Sequence, residues 1–226
     1  MRTRAPFLFG PLTGKAKAAL AGVLVGFTGL LLGAVFIQPW AEPKWMFLDA
    51  LTAAELSGDC CHVYYGSISN LGIMLWSGTA AACLIAACCL YAAKASAPAL
   101  RFAVCASVFT GWLALDDAFL LHELVLPSLG LPQALVLGVT AGLALLYVAL
   151  NWRLILCQEW WVLALGVGGL AMSVAVDQVF HSLSPVLVYL EDSAKFFGIV
   201  CWAGFHLMTV FLLLTELLTD RQGARS

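Results

Sequence analysis

The stretch Leu100–Leu126, LRFAVCASVFTGWLALDDAFLLHELVL, is too apolar for a soluble helix and too charged for an ordinary membrane span. A helix crosses the roughly 30 Å hydrocarbon layer in about 20 mostly apolar residues. This one has that length and still carries Asp116, Asp117, His122 and Glu123 in its second half. Outward from it, five further stretches read as spans: Ala18–Gln38, Gly66–Tyr91, Gln133–Leu150, Trp160–Phe180 and Val186–Leu218. Composition agrees. Of 226 residues, 62% are hydrophobic and 11% charged, with mean hydropathy +0.96, against about 45–50% and about 25% in a globular domain. The runs are continuous rather than alternating, which excludes barrel strands. The expected fold is an all-α polytopic transmembrane helix bundle of six spans, a single integral membrane domain over residues 1–226.

Charge sets the expected orientation. Nine of the eleven Lys and Arg residues fall on one side of a six-span chain: Arg2, Arg4, Lys15, Lys17, Lys94, Arg101, Arg153, Arg221 and Arg225. Lys44 lies in an opposite loop and Lys195 within a span. By the positive-inside rule both termini are cytoplasmic. The segment 39–65 is then external and acidic, with Glu42, Asp49, Glu55 and Asp59 against Lys44. Trp40, Trp45, Tyr64 and Tyr65 suit the outer interface, and Trp152, Trp160 and Trp161 the inner one. Within 39–65, Trp45–Leu56 reads as a short amphipathic helix lying on the membrane. The first span has a longer apolar run than a signal-peptide core and no clear A-x-A site after it, so it is expected to be retained. Short loops fit a bacterial inner membrane. A net charge of −2 without a basic cluster gives no reason to expect nucleic acid as a partner, and none is expected. The expected partner is membrane lipid, with a membrane-protein partner or a second copy left open.

Ionisable groups inside spans are costly and mark function or pairing. Besides Asp116, Asp117, His122 and Glu123, the fifth span carries Ser173, Asp177 and His181, and the sixth Glu191, Asp192 and Lys195. At 1.5 Å per residue, Asp116 and Asp177 lie roughly 20–25 Å from the cytoplasmic starts of their helices, and Glu191 and Lys195 roughly 8–14 Å from the external start of theirs. All fall in the outer half of the bilayer. Ser69 and Asn70 open the second span near the same level. One polar cavity with an external mouth explains the coincidence. On straight helices Asp116 and Glu123 share a face flanked by Asp117 and His122; Ser173, Asp177 and His181 form an i, i+4, i+8 stripe; and Lys195 is the counter-ion of Glu191, Asp192 or both.

Six carboxylates cannot all ionise beside one lysine and two histidines in a low dielectric. Either several are protonated or a cation is present. Asp116, Asp117, His122, Asp177 and His181 are therefore expected ligands of a divalent metal such as zinc. Glu123 or Glu191 is then the general base, and Lys195 stabilises a developing oxyanion. That assignment makes the chain a metal-dependent membrane hydrolase of a lipid-like substrate. Two alternatives stand beside it: a proton- or cation-coupled transporter, in which the acids carry the ion, and a non-catalytic membrane subunit or assembly factor held together by ion pairs. His206, deep in the sixth span, reads as a packing or hydrogen-bonded histidine. Gly22, Gly26, Gly29 and Gly33, and Gly138 with Gly142, read as stripes along which helices approach. Cys60 and Cys61 could pair with another chain or bind metal; the other six cysteines read as apolar packing, with no disulfide framework.

The run Ser67-Ile68-Ser69-Asn70-Leu71, with Ser107 and Asp116 on the next helix, resembles the intramembrane alkaline ceramidases. That resemblance implies a zinc hydrolase in a seven-helix fold. The paired histidines of that family's last helix are not here, where His206 stands alone. Glu191 four residues before Lys195 resembles the retinal-binding helix of microbial rhodopsins, which have seven helices against the six counted here.

Overall fold

A computed structural model describes residues 12–60, 62–180 and 185–223. The elements in order are α1 (Gly14–Ile37), α2 (Lys44–Phe47), α3 (Ala50–Ser57), α4 (Ser67–Ala92), α5 (Ala97–Phe119), a π-helical turn (Leu121–Val125), α6 (Leu126–Ser128), α7 (Gln133–Cys157), α8 (Trp160–Phe180) and α9 (Pro185–Gly223). Among the described residues there are no strands. Among the described residues, six helices are long and apolar enough to cross a membrane, each with a stretch of mean hydropathy between 1.5 and 2.4. The chain is a multi-pass membrane protein of all-α class. Many large apolar side chains, such as Leu30, Ile37, Leu84, Leu145 and Phe211, are exposed, as lipid-facing surface requires.

The third span departs from the expected course. It does not run to Leu126: α5 stops at Phe119, where Leu120 takes the left-handed conformation (φ 50°, ψ 44°) and donates its N–H to Asp116 O. The fourth span runs on to Cys157, so Arg153 sits on α7 rather than in a loop. The expected single helix Trp45–Leu56 is two. Asp49 interrupts it, its carboxylate accepting the N–H groups of Leu51 and Thr52, each at 2.9 Å, to start α3 afresh. That is the ordinary action of an aspartate N-cap. Cys60 is disulfide-bonded, so its sulfur is not free to bind metal; Cys61 lies outside the described residues.

The chain divides into two compact units, one of residues 76–160 and 205–223 with Leu12, the other of residues 13–60, 62–75, 161–180 and 185–204. In the first, α5 packs on α7, and the π-helical turn packs on both. Trp112 donates its indole N–H to Thr140 Oγ1 across that contact, at 3.1 Å. In the second unit, α8 and α9 approach each other closely. A Cβ on Gly198 would lie 2.8 Å from Leu170 N and 2.9 Å from Gly166 O, and one on Gly169 would lie 2.8 Å from Ala194 O. Backbone therefore meets backbone there, as small residues permit in membranes. The glycines singled out from sequence do something else: a Cβ on Gly22, Gly26, Gly29, Gly33, Gly138 or Gly142 meets nothing within 4 Å. Spacing alone does not say which stripe has a neighbour. The segment after α1 is held in the second unit by Phe36, Phe47 and Tyr189, whose ring centroids lie 5.2–5.9 Å apart. Gly66 (φ 65°) ties it to α4, donating its N–H to Trp45 O at 2.9 Å where a side chain would strike Ala50 N.

Candidate functional site

The site in the first unit is made by the break after α5. Asp116 is buried on the last turn of that helix, and its Oδ1 accepts the backbone N–H of His122 at 3.0 Å. In an uninterrupted helix that N–H would bond to the carbonyl four residues back. Here a side-chain carboxylate takes it, an instance of aspartate competing with the helix ladder. The same carboxylate holds the side chain, with Asp116 Oδ2 2.8 Å from His122 Nδ1. On the other edge of the ring, His122 Nε2 lies 3.3 Å from Glu123 Oε1. One imidazole thus stands between two carboxylates. A straight helix, with Asp116 and Glu123 on one face and His122 beside them, is the wrong picture. Leu120 turns the chain back, and residues six apart meet directly.

Exposure grades across the cluster. The Asp116 and His122 side chains are 8% and 14% exposed, and that of Glu123 is 46%. Burial pushes the imidazolium toward its neutral form. The hydrogen bonds to Asp116 and Glu123, with the charge of both acids, outweigh it and raise His122 from the usual 6.5 to about 9. A group raised in the folded state contributes stability in full below about pH 6.5 and loses it as pH climbs through about 9. The melting temperature of the wild type should therefore fall more steeply than that of His122→Gln over this window. Parallel melting curves between pH 6 and 10 would show that the pair is not formed in solution.

Asp117, next in the chain, points elsewhere: its Oδ2 accepts the indole N–H of Trp76 from α4 at 3.0 Å. Trp76 was not among the expected site residues. An indole donor in the middle of an apolar run needs an acceptor, which is the signal that could have found it. His206 meets its expectation, fully buried and sharing a 2.8 Å hydrogen bond with Tyr147 Oη.

The remaining expected residues that are described lie in the second unit. Ser173 is buried on α8, with Asp177 half-buried one turn further on. Glu191, Asp192 and Lys195 are half-buried on α9, and none of these three or Asp177 lacks a partner. Ser69 is half-buried and Asn70 exposed at the start of α4. His181 lies outside the described residues. Among the described residues, no group of three or more His, Cys, Asp or Glu side chains is disposed to hold a metal ion.

Compared with known proteins, residues 18–209 match the model of a family described as Domain of unknown function (DUF8692). No curated protein matches the chain, and no solved structure does.

Proposed function

The chain belongs to this DUF8692 family, whose description carries no activity, and we propose from its own residues that it is a proton-translocating membrane protein of the coupled-transporter class. The observation that carries this reading is the His122 ring held between Asp116 at 2.8 Å and Glu123 at 3.3 Å. With the imidazole protonated and both acids ionised, the cluster has one net negative charge. A single arriving proton neutralises it. Glu123 is the most exposed of the three and takes that proton first, which weakens its hold on the imidazolium, and His122 passes its Nδ1 proton inward to Asp116 Oδ2. Leu120, in a backbone region that costs a non-glycine residue about 1–2 kcal/mol, makes the turn easy to reopen once the ion pair weakens. Taken with cytoplasmic termini, the cluster receives its proton from the external side.

Asp116 lies within the third span and His122 and Glu123 just beyond its end; chains of acids and histidines are the usual parts of proton relays in pumps and transporters, and proton transfer through a positioned side chain is faster by orders of magnitude than without it. In proteoliposomes carrying a pH-sensitive dye, an imposed pH gradient should drive proton uptake well above that of protein-free vesicles. Glu123→Gln and Asp116→Asn should each lower it by about a hundredfold. Uptake by either variant at the wild-type rate would refute the reading. Stoichiometric bound metal in the purified protein, lost in Asp177→Ala, would instead favour metal-dependent hydrolysis of a lipid-like substrate.

A further inference from the structure

Below Asp116 the first unit holds a series of buried polar side chains that the cluster itself does not use. Thr110 and Ser107 lie about 9 Å and about 14 Å along α5 from Asp116; both are buried, and Ser107 donates to Ala80 O at 2.9 Å. Beside Ala80, Thr79 is 1% exposed and its hydroxyl has no hydrogen-bond partner. About 21 Å along α5 from Asp116, Phe102 stacks on the His206 ring with centroids 5.9 Å apart. There His206 bonds Tyr147 Oη. One turn further along α7, Asn151 donates its amide N–H to Tyr147 O at 2.9 Å, while its Oδ1, in a side chain 2% exposed, has no partner. Near the end of α7, buried Glu159 accepts the N–H of Leu12 at 2.7 Å.

Apolar side chains would pack these positions at lower cost, because a buried polar atom without a partner is destabilising by about 1–3 kcal/mol. Two such atoms, on different helices and at different depths, call for bound water, which makes two to four hydrogen bonds where buried polar groups need them. We propose that the first unit encloses a hydrated path along which protons pass between the level of Asp116 and the Cys157 end of α7. Water at Thr79 Oγ1 and at Asn151 Oδ1 bridges Thr110 and Ser107 to the Tyr147–His206 pair. His206 and Tyr147 relay the proton, with Phe102 and Phe205 packed against the His206 ring. This rests on the proton-translocating reading for what moves, and adds the route.

Two measurements test it. Radiolytic hydroxyl-radical labelling of the wild type in detergent modifies side chains beside internal water even when they are buried. Tyr147 and Phe102 should be labelled, and protection of both would overturn the path. In the proteoliposome assay, Thr79→Val and His206→Phe should fall to the rate of protein-free vesicles, while Thr79→Ser keeps the wild-type rate. If Thr79→Val and His206→Phe conduct like the wild type while Glu123→Gln does not, the route is wrong and the cluster stands. A wild type that conducts no protons overturns both. Labelling needs no variant to fold, so it decides for or against the route where substitution disrupts the protein.

Discussion

Replacing Asp116 with alanine is expected to destabilise the protein by about 3 kcal/mol, the low end of what breaking one side of a buried ion pair costs. Three losses coincide. The His122 N–H loses the acceptor that replaces its helical one, the imidazole loses its 2.8 Å partner, and Leu120 loses what compensates its left-handed backbone. The partial exposure of His122, at 14%, keeps the effect from being larger. Unfolding in mixed micelles with increasing denaturing detergent would read it. A pairwise cycle adds the diagnostic: Asp116→Ala combined with His122→Ala should cost clearly less than the sum of the two. Additive effects would mean that the two side chains do not interact.

Gly198→Leu is expected to be as damaging, by a different cause. The Cβ alone would come within 2.9 Å of backbone atoms of Leu170 and Gly166, and backbone, unlike a flexible side chain, cannot give way without parting α8 from α9. Overpacking commonly costs 1–3 kcal/mol where side chains can shift; here about 3 kcal/mol or more is expected, with poor yield of folded protein. Gly26→Leu on α1 is the control, because nothing lies within 4 Å of the added atom. Equal yields of the two variants would show that the close crossing is not formed in the membrane.

The contrast between those two glycines shows where reading from sequence stops. Gly26 belongs to a regular stripe and stands in open space, whereas Gly169 and Gly198 sit in less regular surroundings and carry the crossing. Small-residue spacing reports that a helix can be approached; which neighbour approaches depends on partners far away in the chain. The same limit applies to the acids. Charge in an apolar run marked Asp116, Asp117, His122 and Glu123 without ambiguity. Their mutual geometry depended on a break at Leu120, where no glycine or asparagine announces a left-handed residue. Trp76 and Tyr147 went unnoticed because aromatic residues in spans ordinarily face lipid or pack, and only a folded neighbour shows that Asp117 and His206 are within reach.

Sequence by itself determined the class and the number of spans, because lipid imposes one requirement, about 20 apolar residues per crossing with the backbone satisfied locally. It also marked the ionisable residues whose place in apolar runs is too costly to be incidental. Tertiary structure alone decided how those residues meet. Asp116 captures a backbone N–H and an imidazole that a continuous helix would have carried past it, and two carboxylates close on one ring. The balance between the helix ladder and a competing carboxylate is local, of the order of 1 kcal/mol, and α5 and α7, packed against the turn, hold it on the side where the cluster forms.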